Sequence, residues 1–496
     1  YNAIALQTGN RPVEALRELE ESIERNDNRA VYRSRLLLDQ DRAARGTSLA
    51  RVYDDLGFSR LGVMESTKSL SEDPTNASAH RFLSDSYRDV RRRDIARVSE
   101  LFQAQMLQDI NINPVQPSAS ETDLNIAATG GPASAGFNEF TPLFERNRAQ
   151  LNVAGILGNN DTSGGEAVVS GVYDSVSLSA GAMAFDTDGW RPNNDLDERI
   201  YNLYGQWAVT PEFNVQVELR HRETEEGDLA FNFDPDDFLL DKTIKRDQDS
   251  ARVGLRYAPV PSSVFLLSYI YADRDNHLSE SETLDPYTTL FIDSKTHNKG
   301  SQFEGQYVYQ QPGFNIIAGA SYSESDRDID DSVLIEDIDF GPIFSAGGSF
   351  TENIENPRGY VYANINAGSS AAVTLGASYD DYKEDPVSET SFNPKLGAQW
   401  FASEDLTLRF ASFKTVKPSI INNRTLEPTQ VAGFNQFFDD ANGTKAWRYA
   451  AGLDWRLGSD WKFGGEFTWR NLEQPVVDIS PEGVESAIFE DRDEQL

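Results

Sequence analysis

The sequence predicts an α + β multidomain chain in which a short α-helical solenoid precedes a large antiparallel transmembrane β-barrel of at least sixteen strands. Three observations carry that prediction. The hydrophobic period is three to four in the first part and two from about residue 146 onward. The connections between the period-two segments alternate between tight and long, and tryptophans gather beside the tight ones.

Residues 1–106 are read as helical. Val13, Leu16, Leu19 and Ile23 fall three or four apart after Pro12, which suits a first helical position because its missing N–H would have no partner there. Further on, Leu56-Gly57-Phe58 through Leu70, then Asp73-Pro74, Asn76, Ala79, Leu83 and Tyr87, place a Leu-Gly pair, a helix-ending proline and a small alanine at the spacing of a helical hairpin. Asn76 or Ser78 stands where the second helix needs a cap. This stretch resembles a tetratricopeptide repeat, and residues 5–38 hold parts of an earlier, degenerate one. The resemblance implies a periplasmic scaffold for a periplasmic or secreted protein partner. Residues 107–145, with Pro114, Pro117 and Gly130-Gly131-Pro132, have a loop composition and are read as a linker or a segment lying in the lumen.

Residues 146–496 carry the barrel. From Phe213 to Arg220 every odd position is apolar and every even one polar, as a strand with lipid on one side and a wet lumen on the other requires. The same alternation runs through Val253, Leu255 and Tyr257, through Phe303, Tyr307 and Tyr309, and through Trp461, Phe463, Phe467 and Trp469. A soluble sandwich also alternates, but it has no reason to alternate its connections. Here tight turns fall near 174–175, 210–211, 259–261, 312–313, 369–370, 403–404 and 458–459, with long connections at 227–248, 275–298, 328–356 and 418–443. That asymmetry puts the tight turns in the periplasm and the long loops outside a bacterial outer membrane, with lipid and lipopolysaccharide as the surroundings. Trp207, Trp400, Trp455 and Trp461 sit within a few residues of tight turns and are assigned to a membrane-interface belt. The chain begins without methionine or signal peptide and ends within a strand, so a longer precursor with further strands is expected.

Composition narrows the function classes. A net charge of −35 repels nucleic acid, which is excluded as a partner. The absence of cysteine removes disulfides, thiolate metal sites and cysteine nucleophiles. A mean hydropathy of −0.52 is compatible with a barrel, because only every second strand residue meets lipid.

The run Phe392-Asn393-Pro394-Lys395-Leu396-Gly397-Ala398-Gln399-Trp400, followed by Leu406-Thr407-Leu408-Arg409 and Lys417-Pro418-Ser419, resembles barrel strands of TonB-dependent receptors over about 30 residues. That similarity implies the barrel class and an uptake channel. Helical repeats joined directly to a barrel resemble instead the exopolysaccharide export porins, whose architecture implies outward passage of polymer.

Side chains on the polar parity supply a charged lumen lining: Glu218, Arg220, Arg222, Arg252, Arg256, Arg409, Arg448, Arg456, Glu466 and Arg470. They either pair across strands or form a substrate track. Tyr204, Tyr360 and Tyr362 share that parity, suited to stacking on sugar rings or to packing against a plug or loop. Asp326, Asp328 and Asp330 follow calcium-loop spacing, but Asp331 occupies the position that needs glycine, so a solvated acidic loop is the leading reading and Ca2+ the lesser one. The segments 234–237 and 271–275 offer similar acidic groups for cations bridging to lipopolysaccharide. His80, His221, His277 and His297 are scattered, and no phosphate loop or nucleophile elbow is present, so neither a cofactor nor an enzyme is expected.

The leading functional expectation is an outer-membrane conduit with a periplasmic repeat scaffold that exports or assembles a polysaccharide or secreted polypeptide. The alternatives are an uptake channel like the TonB-dependent receptors and a plugged surface receptor or scaffold.

Overall fold

The computed structural model describes residues 2–24, 46, 49–50, 52–53, 56–87, 90, 92–111, 147–230, 237–368, 370–403, 405–458, 461–479 and 485–495. The period-two segments form strands β1 (Arg148–Leu157), β2 (Ser163–Tyr173), β3 (Val176–Thr187), β4 (Leu196–Thr210), β5 (Phe213–Glu226), β6 (Thr243–Val260), β7 (Ser263–Asp285), β8 (Thr288–Gln311), β9 (Phe314–Asp337) and β10 (Gly341–Ala367). They continue as β11 (Ala371–Glu384), β12 (Val387–Ser403) and β13 (Leu406–Val416). After a short hairpin, β14 (Gln430–Val431) with β15 (Phe434–Asn435), come β16 (Lys445–Leu457), β17 (Trp461–Ile479) and β18 (Glu485–Gln495). Sixteen of these make one antiparallel sheet in strict chain order, the meander of a large barrel wall.

Burial on this wall is inverted relative to a water-soluble sheet. On β5 the even residues Asn214, Gln216 and Glu218 are buried, whereas Val217 and Leu219 are 44% and 47% exposed. Phe303, Leu375, Phe392, Leu396, Phe410 and Phe467 are likewise exposed, opposite buried Glu304, Thr374, Asn393, Lys395, Arg409 and Arg470. An apolar outer face and a polar inner one suit hydrocarbon outside and polar contents inside. Trp207, Trp400, Trp455 and Trp461 all stand on the exposed face near the tight-turn end, where Trp207 faces Val176, Trp400 faces Ala371 and Leu408, and Trp455 faces Leu406.

Two of the expected outer loops are strand instead. β7 and β8 remain paired to a turn at 285–288, and β9 and β10 to one at 337–341, so 275–298 and 328–356 form long ribbons. Their acidic composition signals solvent on both faces, while Leu290, Phe291 and Ile292 opposite Ile335, Leu334 and Val333 retain cross-strand packing. The connection 418–443 is irregular as expected, but it turns back into the barrel.

The helices are α1 (Asn2–Thr8), α2 (Pro12–Glu24), α3 (Ser59–Glu72), α4 (Ala77–Ser86) and α5 (Asp94–Leu107). Pro12 heads α2, and the Asn76 side chain caps α4 by accepting the Ala79 N–H at 3.1 Å. Leu83, Tyr87 and Ala96, with Val63 and Leu70, make the core between α3, α4 and α5. These helices do not stand clear of the wall as a repeat domain in open periplasm would. Phe102, Met106 and Leu107 of α5 share one core with Leu266, Val308, Tyr362 and Phe413 of the wall and Leu426 and Phe434 of the return segment. On the polar face of α5, Ser99, Glu100, Gln103 and Gln105 are buried. Polar residues serve equally well against a polar lumen, which is why the two placements look alike in sequence. Of the 107–145 segment, Asn111 reaches the wall through Tyr204 and Gln206, and 112–145 lies outside the described residues.

Candidate functional site in the barrel lumen

Three parts of the chain meet inside the wall: the helices, the inner face of β4–β17, and the return segment 417–444. Glu218 ties the wall to the return segment, and its partner Arg252 carries the link on to α5. Its carboxylate accepts from Arg252 Nε and Nη2 at 3.1 and 2.9 Å and from Arg424 of the return segment at 3.2 and 3.1 Å. Arg252 also reaches Gln105 and Met106 of α5, and the Gln216 amide donates to the Gln105 carbonyl at 2.8 Å. Nearby, Ser99 donates to the Asn423 carbonyl at 3.1 Å, and Thr429 donates to Glu100.

Most of the expected lumen charges are therefore consumed by partners. Arg409 pairs with Asp454 at 2.9 Å and Glu466 at 3.4 Å, Arg448 also reaches Glu466, and Arg470 bridges Glu494 and Asp440. Arg256 pairs with Asp109 just beyond α5 at 2.6 Å, Arg222 with Glu198, and Arg456 with Asp405 at 2.7 Å. Some pairs run across strands and others tie the wall to its contents, so these residues build the filled lumen. Tyr204, Tyr360 and Tyr362 do face inward and are buried. Tyr204 binds Asn111, Tyr360 donates to Glu304, and Tyr362 donates to Glu427 of the return segment.

Above this packed layer, on the long-loop side, remains a cavity of about 550 Å³. Register explains it. One cross-strand row of inward side chains reads Arg222, Gln248, Arg274, Asn298 and Arg327 from β5 to β9. The row beneath reads Arg220, Ser250, Ala272, Gly300 and Ser325, and the four residues after Arg220 are small and leave room below the guanidiniums. The floor is α5, through Arg97, Leu101 and Gln105, and Lys417 and Arg424 enter from the return segment. A Cβ at Gly300 would collide with Ile421 of that segment, so the glycine fits the return segment against the wall.

The cavity is cationic in an acidic protein. Asp94 is the one carboxylate-bearing residue among the described residues that line it, against seven arginines and one lysine. Some have carboxylates just outside, as Arg246 has Glu226 at 2.8 Å and Arg327 has Glu352 at 2.8 Å. Arg274 instead donates twice to the neutral Gln248 amide oxygen, at 3.1 and 2.8 Å. Lys417 donates to the Pro418 carbonyl and to the Asn442 amide oxygen, both at 3.0 Å. Burial pushes the Lys417 ammonium down to about 8, because taking the cation out of water disfavours its charged form. Of this set the sequence points to Arg220 and Arg222 alone. Arg274, Arg327, Lys417 and Arg424 converge only through a register spanning five strands and a connection that folds inward.

The calcium-loop expectation is corrected. Asp326, Asp328 and Asp330 lie on β9, an extended strand with Thr351 and Ser349 of β10 donating to Asp328 and Asp330, and an extended backbone cannot curl around an ion as a calcium loop does. The histidines, scattered in sequence, are gathered by register: His221, Glu223 and Asp247, and Asp273, Asp275 and His297, bring ligand-type atoms within 4.8 Å. They stand as imidazole–carboxylate pairs, His221 with Asp249 at 3.0 Å and His297 with Asp275 at 2.7 Å.

The fold is that of outer-membrane receptor barrels, in agreement with the likeness of the 392–419 stretch to TonB-dependent receptors. The pyoverdine outer membrane receptor FpvA of Pseudomonas aeruginosa PAO1, bound to pyoverdine, superposes with a TM-score of 0.53 at 12% identity, over 71% of this chain and 58% of that one. The ferripyoverdine receptor of the Pseudomonas aeruginosa outer membrane gives 0.51 at 13% identity, over 69% and 52%. FpvAI in its complex with pyocin S2 gives 0.51 at 13%, over 70% and 53%. The chain thus spans about half the length of these structures. No protein-family model matches the chain, and no curated protein matches it by sequence.

Proposed function

We propose that this chain is the barrel and lumen-filling part of an outer-membrane receptor that takes a ligand from the cell exterior into the cationic cavity and passes it inward when the helical insert moves. The observation that carries this reading is the filled lumen: α5 and the return segment hydrogen-bond to buried polar side chains of the wall, among them Gln216, Glu218 and Arg252. An export conduit for polysaccharide or polypeptide wants a lumen that polymer can traverse and repeats free to bind a partner. The uptake alternative and the likeness to receptor folds fit better. On this reading α3 to α5 serve as the plug rather than as a repeat scaffold. The four tryptophans mark the periplasmic rim, and the cavity opens on the side of the β7–β8 and β9–β10 ribbons.

Single-channel conductance of the full chain in planar bilayers tests the proposal, in buffer and in urea at a concentration that unfolds helices but leaves the wall intact. The proposal expects a closed barrel in buffer and stepwise openings in urea. A steady open pore in buffer contradicts it.

A further inference from the structure

The cavity carries its own statement about the ligand. Arg222, Arg274 and Arg327 stand on alternate strands of one row, so their Cα positions are spaced by two interstrand distances, about 10 Å. Gln248 and Asn298 between them supply amide groups, and Ser250, Ala272, Gly300 and Ser325 beneath leave space below the guanidiniums, of which Arg222 keeps Glu198 and Arg327 keeps Glu352 at its far side. In a partly enclosed site lined mainly by one sign of charge, low-dielectric walls concentrate the field on whatever enters. Guanidinium forks match the paired oxygens of phosphate, sulfate and carboxylate. Arg274 and Lys417 have hydrogen bonds to neutral oxygens, and neither has a carboxylate within ion-pair reach among the described residues. The molecule as a whole, at −35, repels anions, so a cationic site maintained against that background favours one kind of guest.

We propose that the cavity seats a polyanion: a ligand with at least two phosphate, sulfate or carboxylate groups set about 10 Å apart, bridging the β5–β9 row and the Lys417 side of the return segment. This rests on the receptor reading and names its ligand class. Because the guest contacts α5 through Arg97 and Gln105 as well as the wall, its arrival is felt directly by the helical insert.

Isothermal titration of the full chain in detergent tests this with inositol hexakisphosphate, sucrose octasulfate and trigalacturonate as probes and sucrose as the uncharged control. At least one probe binds at a single site, weakening with added salt, and which one binds identifies the anionic group. Arg274→Gln lowers its affinity at least tenfold, and Arg274→Lys recovers part of the loss. Ser325→Glu, which plants a carboxylate in the small row without removing a native cation, also abolishes binding and guards against a folding defect in the arginine variant. Absence of binding by all three probes overturns the proposal, as does binding that neither Arg274→Gln nor Ser325→Glu weakens. Conductance measured on the same preparation separates the two claims. A closed barrel that binds no polyanion refutes the ligand class alone, whereas an open pore refutes the receptor reading.

Discussion

Glu218→Gln perturbs the junction of wall, helices and return segment at one atom pair. The native carboxylate is 3% exposed and is shared by two guanidiniums, those of Arg252 and Arg424, at 2.9 to 3.2 Å. The amide keeps the shape and one acceptor oxygen but removes the charge, leaving two buried cations facing each other. Breaking a buried pair from one side costs about 3–5 kcal/mol, and the retained acceptor places this variant near the lower end. Arg252 keeps Gln105 and Gln216 of α5 and the wall as partners, and Arg424 is the side chain through which the return segment reaches Glu218, so part of the cost falls on the return segment. About 3 kcal/mol raises the opening equilibrium more than a hundredfold. Hydrogen exchange reads it directly: amides near 420–436 exchange that much faster in Glu218→Gln, while those of β1 and β2, away from the junction, are unchanged. A double-mutant cycle with Arg424→Met sharpens the test, with a coupling of at least about 1 kcal/mol expected. Additivity within about 0.5 kcal/mol would refute the reasoning, because the two side chains would then not share an interaction.

Further predictions concern the other layers. His80 of α4 bonds the buried Glu100 carboxylate and the Pro74 carbonyl; burial alone would lower its pKa, but these partners hold it above the ordinary 6.5. The sign follows: this stabilisation is fully present below 6.5 and is lost as pH rises through the higher folded value, so protease resistance of the helices falls on going to alkaline pH, a dependence that His80→Gln removes. Leu219→Arg puts a charge on the lipid face of β5 and costs up to about 2–4 kcal/mol, seen as a lower denaturant midpoint for insertion into vesicles, while Leu219→Ile leaves the midpoint nearly unchanged.

How much of this was legible in the sequence follows from what each feature depends on. The wall was legible because period two is a local property: Val217 and Leu219 outward and Gln216 and Glu218 inward follow from alternation alone. The Asn76 cap and the Pro12 helix start were legible for the same reason. The ribbons 275–298 and 328–356 were not, because strands solvated on both faces have the composition of loops. The placement of α5 was hidden by ambiguity, since Gln103 and Gln105 suit a lumen as well as water. The cavity was hidden by register: Arg222, Arg274 and Arg327 are separated by roughly fifty residues at each step, and each one-residue slip would turn a guanidinium to the opposite face.

If the chain's own helices close its lumen, a disulfide between α5 and the wall locks the barrel shut. Met106 of α5 lies against Gly254 of β6, where an added Cβ would come within 2.5 Å of the Met106 sulfur, and the chain has no native cysteine to interfere. In a Met106→Cys/Gly254→Cys variant, oxidation in the membrane joins the two residues, and the barrel then stays closed in urea until a reductant is added. Two free thiols under oxidising conditions, together with an open pore, would contradict it.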